Sequence, residues 1–404
     1  MRRHLATFAL LTIVVAPLAL GPIDAQSGRA GQSTGKFHRK GARAIPHKYI
    51  VVLNDDDMVT QTRDFASAVD RSLDVVRGTE AMVEEIYAFA LRGFAARMTE
   101  QDALRLSQDP RVRFVEEDAV VEAIATQSNP PWGLDRIGQR DLPLNQSYGY
   151  TMTGAGVNAY VIDTGIRTTH TTFGGRAVSG FSAINDGRGT NDCNGHGTHV
   201  AGTIGGSQYG VAKGVRLFAV RVLSCTGSGS NSGVISGVNW VTANHISPAV
   251  ANMSLGGGAS SALDLAVNNS IAAGVTYAIA AGNSNTNAAN SSPARVAAAI
   301  TVGSSTRTDA RSSFSNFGSV VDIFAPGSSI LSAWSTSNTA TNTISGTSMA
   351  TPHVAGVVAR YLQRNPNASP ATARDAIVNA ASPNRLSQIP AGTANRLLFW
   401  SSAQ

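Results

Sequence analysis

The 404-residue chain is poor in charge, poor in lysine over most of its length and almost without cysteine. Only 14% of its residues are charged, and no glutamate occurs after Glu122. Residues 125–404 hold one lysine, Lys213, against 15 arginines, with no basic run longer than two. That scatter lacks the clustered stripe that phosphate tracking needs, so no nucleic-acid partner is expected despite a formal net charge of +6. The missing glutamates also remove the His-Glu-x-x-His zinc pattern, although His196 and His199 stand three apart. His199 is therefore expected as a packed, hydrogen-bonded neighbour and not a ligand. The one long apolar run, 5–20, is too short to span a bilayer, and no second one follows, so no membrane anchor is expected.

What charge there is divides unevenly. Residues 1–124 hold 16 Lys and Arg against 17 Asp and Glu, whereas 125–404 hold 16 against 9, a net of about +7. Arg2, Arg3 and His4, the apolar run and small Ala25 form a secretory signal over 1–25, which implies a soluble, extracellular product. Residues 26–47 are rich in Gly, Ser, Gln, Arg and Lys and read as a flexible segment. From 48 to 124 the pattern predicts a strand over 49–53, a helix near 59–73, strand-like 88–98, a helix near 100–107 and a strand over 112–116. This is a small α+β module of β-α-β-β-α-β, ferredoxin-like order. The strip 120–131 reads as a processing segment, or as an ordinary interdomain linker open to any protease.

Residues 125–404 alternate strand-like and helix-like runs. Strands are predicted over 157–162, 215–223, 249–253, 275–280, 300–304 and 320–324. Helices are predicted from 196, near 234–243, near 262–272, over 349–358 and near 370–380. The alternation implies one large α/β domain of three layers, a mostly parallel sheet with helices on both faces.

Within that frame, Gly346-Thr347-Ser348 opens a helix-compatible run with a serine that nothing structural obviously needs. Amides of a helix start point at an anion formed there, although a plain helix cap would look similar. Asp163 ends the apolar run 157–162 and is followed by Thr164-Gly165, a strand emptying into a turn at a sheet edge. Sites gather at such edges, but a strand-end Asp also caps turns. His196 opens a helix of small residues in Asp192-Cys193-Asn194-Gly195-His196-Gly197-Thr198-His199.

Val161-Ile162-Asp163-Thr164-Gly165, Asn194-Gly195-His196-Gly197-Thr198-His199 and Gly346-Thr347-Ser348-Met349-Ala350-Thr351-Pro352-His353 together resemble the three signatures of subtilisin-like serine proteases. Their order, Asp, His, Ser, separates them from α/β-hydrolases and from the chymotrypsin type. The resemblance covers essentially all of 125–404 and implies a subtilisin-like fold with Ser348 as nucleophile, His196 as general base and Asp163 orienting the imidazole. Ala280-Ala281-Gly282-Asn283 resembles the family's oxyanion segment. Asn283 and the backbone amide of Ser348 would then be the oxyanion donors.

The same resemblance implies that 48–124 is an inhibitory propeptide that templates folding, with the mature start near Ala125. Peptide substrates would lie extended between Gly227-Ser228-Gly229 and Ser254-Leu255-Gly256, bound through backbone hydrogen bonds that give broad specificity. Ala280, Ala281 and Gly282 would wall a pocket without carboxylates, favouring aromatic or aliphatic residues, and Ser291 stands where relatives carry a tyrosine. Cys193 and Cys225, the only cysteines of an exported chain, are expected to pair. That pair and Pro131-Trp132-Gly133-Leu134-Asp135-Arg136-Ile137 resemble the proteinase K branch, aqualysin-type enzymes in particular.

Two departures are visible. Ala289 and Val320 stand at the positions of that branch's second disulfide, so thermostability is not implied. Asp322 with the carbonyls of Ala297 and Ala299 matches a structural calcium site, whereas Gly138 and Asn145 replace the carboxylates of an N-terminal one. No cofactor is expected for catalysis. An exopeptidase would need a blocking insertion that this compact chain lacks, and a non-catalytic binding protein would show a substituted triad. The resulting expectation is a monomeric, self-processing, secreted serine endopeptidase with esterase activity on the side.

Overall fold

In the computed structural model the described residues are 36–41, 44–54, 65–121 and 125–402. The proposed signal, residues 26–35 and the bonds at 122–124 lie outside them. The chain divides into two compact units, Met1–Glu122 and Ala123–Gln404.

The first unit is a five-stranded sheet with strand order Phe37–His38, Val112–Ala119, Ala44–Leu53, Gly93–Arg97, Met82–Tyr87. Its pairings are antiparallel apart from the parallel Phe37–His38 edge. Helices Phe65–Val75 and Glu100–Ser107 cover it, and Val51, Phe94, Leu106, Val112 and Val115 pack between the layers. Thr99 caps the second helix by accepting from the Asp102 amide at 3.1 Å, which satisfies a first-turn donor. The β-α-β-β-α-β order is the expected one, with two corrections. The 88–98 run is mostly turn leading into one strand, because its partner strand, Met82–Tyr87, comes earlier. The stretch read as flexible over 26–47 includes Phe37–His38 and the start of Ala44–Leu53, since a two-residue strand and a mostly exposed, proline-containing strand start show no hydrophobic period.

The second unit is built on a nine-stranded sheet. Seven of its strands run Ile323–Pro326, Ile300–Ser305, Thr276–Ala280, Ala249–Met253, Asn158–Asp163, Arg216–Arg221 and, at the edge, Ala177–Ser182, all parallel. Every residue of Asn158–Asp163 and of Ala249–Met253 is buried, which explains why both read as mainly apolar and not as alternating. One face packs on helices His196–Gly205 and Thr347–Arg364 through Val161, Val200, Val354 and Val358. The other packs on Asn231–Asn244 and Ser261–Ala272 through Ile162, Val238, Val267 and Ile279. The three-layer α/β expectation holds. Strand Ala177–Ser182, whose glycine and serines break the apolar pattern, carried too weak a signal to be expected.

Two histidines are locked inside this core. His199 Nε2 donates to the Ile330 carbonyl at 2.9 Å, and His353 Nδ1 donates to the Met349 carbonyl at 2.9 Å. Burial pushes each down to about 4, against an ordinary 6.5. Below pH 6.5 the unfolded chain binds protons that these native imidazoles refuse, so stability is full above 6.5 and falls as the pH approaches 4. Each histidine is expected to cost up to roughly 3 kcal/mol over that window. Urea midpoints followed by tryptophan fluorescence test this, and a midpoint that stays flat down to the lower pH refutes it.

Candidate active site

Asp163 is fully buried at the carboxyl end of its strand. Its Oδ1 accepts from His196 Nδ1 at 2.7 Å and from the Thr164 amide at 2.7 Å, while Oδ2 has no partner among the described residues. His196 opens helix His196–Gly205 with 24% of its side chain exposed, so the ring is held from behind and open in front. Two glycines permit this. Gly195 has φ +113°, and a Cβ there would lie 2.4 Å from the Trp334 indole. At Gly197 a Cβ would meet the Gly165 carbonyl at 2.1 Å, so only glycine lets the helix start press onto the Asp163 turn. Burial by itself would lower the His196 pKa. The charge of Asp163, its hydrogen bond and the charge of Asp192 outweigh that and hold the imidazole above its ordinary value.

Asp192 is a functional residue that the sequence reading missed. Buried, it accepts at Oδ1 from Thr164 Oγ1 (3.0 Å) and the amides of Asn194 and Gly195 (both 2.9 Å). At Oδ2 it accepts from the Thr198 amide (2.9 Å) and hydroxyl (2.5 Å). Thr164 Oγ1 in turn accepts from the Gly197 amide at 2.8 Å, which ties the Asp163 turn to the His196 helix. The available signal was a carboxylate shortly before a helix start, where it satisfies first-turn amides.

Ser348 is the second residue of helix Thr347–Arg364, in the turn whose amides lack partners within the helix. Its hydroxyl donates to the Ser254 carbonyl at 3.1 Å, and Ser254 Oγ donates back to the Ser348 carbonyl at 2.8 Å. Among the described residues no hydrogen bond joins Ser348 to His196. Asn283 Oδ1 accepts from the Thr347 amide (2.7 Å) and hydroxyl (3.0 Å), which turns its amide nitrogen away from Thr347.

A groove of about 540 Å³ is lined by His196 together with Gly227, Ser228, Gly229, Ser254, Leu255 and Gly256, the two segments expected to hold substrate. Leu223, Val234 and Leu263 add apolar wall, and among the described residues no carboxylate lines it. Ala280, Ala281 and Gly282, expected to wall the pocket, are not among the residues that line this groove, and its serine comes from Ser292. Ser291 faces the strand pairing with Gly258 instead. Cys193 and Cys225 form a disulfide, 2.06 Å between sulfurs, joining the loop before His196 to the loop that carries Gly227. The fully buried guanidinium of Arg221 lies 3.3 Å from Cys193 Sγ and is paired with Asp186 at 2.6 Å.

Two of the three expected calcium ligands, Asp322 and the Ala299 carbonyl, are engaged by protein donors. Asp322 Oδ2 accepts from the Thr301 amide at 2.8 Å, its Oδ1 pairs with Arg374, and the Ala299 carbonyl accepts from Arg374 Nε at 3.2 Å. At the N-terminal locus, Asp135 accepts from the amides of Asn145 (3.3 Å) and Gln146 (2.8 Å), so the loop containing Gly138 closes through protein groups.

Asp192→Asn removes one of the charges that favour the imidazolium. His196 is expected to titrate lower in that variant than in the parent, and lower still in Asp163→Asn, as followed by imidazole NMR shifts. An unchanged titration in Asp192→Asn would show that the buried carboxylate has no electrostatic hold on His196.

Comparison with known proteins agrees with this geometry. Residues 154–396 match the subtilase family (peptidase S8), and 48–123 match peptidase inhibitor I9. An extracellular serine proteinase of Thermus sp. (strain Rt41A) is 55% identical over 88% of this chain and 90% of its own length. Alkaline serine exoprotease A of Vibrio alginolyticus is 52% identical over 88% of this chain and 68% of its own. A solved structure of a cold-adapted subtilisin-like serine proteinase is 59% identical, covers 67% of this chain and 98% of its own, and superposes with TM-score 0.66. The chain belongs to the subtilase family of serine peptidases and carries an I9 inhibitor module ahead of its peptidase domain.

Proposed function

We propose that the protein is a secreted endopeptidase, made as a self-processing zymogen, that cleaves extended peptides through an acyl-enzyme on Ser348. One observation carries the reading. Ser254, whose carbonyl holds the Ser348 hydroxyl, lines the same groove as His196, whose other ring nitrogen is already bound to buried Asp163.

In the proposed reaction a peptide displaces the Ser348–Ser254 hydrogen bond, and the serine proton passes to His196 Nε2 as Oγ attacks the scissile carbonyl. Asp163 keeps the proton on Nδ1 and stabilises the imidazolium without accepting the proton. The oxyanion is met by the Ser348 amide and the Asn283 side-chain amide, the latter aimed by its hydrogen bonds to Thr347. His196 then returns the proton to the leaving amine. Water, activated by the same imidazole, releases the acyl group, and an ester would be turned over by the same steps.

Backbone pairing along Gly227–Gly229 and Ser254–Gly256 supports broad specificity, and a groove lined by no carboxylate among the described residues supports aliphatic or aromatic side chains over basic ones. The export signal and the extracellular names of relatives support secretion, and the I9 module supports an intramolecular inhibitor.

Intact mass with N-terminal sequencing is expected to find the wild-type chain cut near Ala125 and the Ser348→Ala chain uncut and inactive on casein. Processing of that variant in a protease-free host, or residual casein digestion by it, would reject Ser348. Asn283→Ala is expected to lose ~10²–10³ in kcat with KM little changed, as found for the matching donor in this family. Single-turnover kinetics on a peptide ester check this, and a loss confined to KM would assign Asn283 to ground-state binding.

A further inference from the structure

We propose that Arg374 is a built-in replacement for a calcium ion in the peptidase domain. Its guanidinium serves as the cation of the Asp322–Ala299 oxygen cradle, and the cradle takes a divalent cation only when that arginine is removed.

Arg374 sits in helix Pro370–Ala380, whose residues Ala373, Ile377 and Val378 are buried. From there the guanidinium spans two oxygens expected to share a calcium ion. Nη2 pairs with Asp322 Oδ1 and Nε donates to the Ala299 carbonyl at 3.2 Å, while Nη1 reaches Asp375 at 3.1 Å. The second oxygen of Asp322 is held by the Thr301 amide at 2.8 Å. Calcium needs about six to eight oxygens at roughly 2.3–2.6 Å, and two of the three donors expected here, Asp322 and the Ala299 carbonyl, are committed to a fixed positive charge. The side chains of Asp322 and Arg374 are only 14% and 27% exposed, so this charge is not screened away by solvent as a surface pair would be.

The substitution makes chemical sense because the locus requires a cation in either form. Asp322 lies just ahead of strand Ile323–Pro326, and Ala299 just ahead of the neighbouring strand Ile300–Ser305. The two are pinned together through the Thr301 amide. Asp322 is largely buried, so an ionised carboxylate left there without a cation would be costly. An arginine meets the need with a permanent charge and a planar fork that fits one carboxylate oxygen and one carbonyl. A dissociable ion, by contrast, stabilises only in proportion to its concentration.

The test uses the full chain in a Ser348→Ala background, which suppresses self-digestion, and compares Arg374→Ala, Asp322→Asn and the double substitution. Tm is read in chelator and in millimolar calcium, with terbium luminescence as a direct readout of ion binding. Any calcium response of the parent is expected to survive Asp322→Asn unchanged, because it would arise elsewhere. Arg374→Ala is expected to melt several degrees lower in chelator and to recover most of that loss with calcium. It should also gain a terbium signal that the double substitution lacks. A parent response that disappears in Asp322→Asn while Arg374 is intact overturns the proposal. So does an Arg374→Ala chain that is destabilised but neither binds terbium nor recovers with calcium, since the arginine would then be an ordinary ion pair. If Arg374→Ala does not fold in either condition, the parent and Asp322→Asn comparison still decides the question.

Discussion

The parallel ladder around strand Asn158–Asp163 is the constraint on which the rest of the peptidase domain depends. Its six residues pair in register with Arg216–Arg221, and four of them pair with Ala249–Asn252. All three chains therefore end at the same edge. Asp163 emerges there, the loop bearing Gly227–Gly229 follows the second strand, and Ser254–Gly256 follows the third. The groove is thus the space just beyond three neighbouring carboxyl ends, the place where open α/β sheets bind ligands. The helices that bring His196 and Ser348 pack on one face of that sheet, which delivers both side chains to the same edge.

Burial explains how this domain uses its few charges. Arg136, Arg221 and Arg360 are fully buried, and the first two pair with Asp309 at 2.7 Å and Asp186 at 2.6 Å. The Asp186 carboxyl is held down to about 2 by Arg221. A guanidinium keeps its charge in such places and supplies several directed donors, whereas an ammonium gives way. Lys213 illustrates the contrast. It donates to the carbonyls of Ser207 and Gly210, yet burial, with Arg176 and Arg360 nearby, pushes it down to about 8. The bias toward arginine over lysine in 125–404 is consistent with cations used inside the fold, of which Arg374 is one more.

Much of the fold was legible because local patterns coincide with burial. Ala249–Met253 and Pro370–Ala380 fall where apolar runs and turn residues place them, and Asp163, His196 and Ser348 stand in motifs long enough to identify unaided. Strand Ala177–Ser182 and the short hairpin Ile330–Ala333 with Thr341–Ile344 were not legible, since mixed glycine, serine and threonine carry no clear period. Asp192 escaped for a related reason. A lone buried aspartate declares itself only by what it accepts, and its donors come from Thr164, Asn194, Gly195 and Thr198 on two separate segments.

By itself the sequence determined the chemistry available to this protein: which side chains stand at helix starts and strand ends, the two units, and the single possible pairing of its cysteines. Those follow from short-range pattern and composition, which do not depend on distant partners. Tertiary structure alone decided which oxygens remain free for that chemistry. It turned the Ser348 hydroxyl to Ser254, gave the groove Ser292 in place of Ser291, and brought Arg374 across 52 residues to Asp322. Hydrogen-bond satisfaction and charge pairing inside a buried volume are settled by whichever group folding brings within reach, and that is a property of the packed chain.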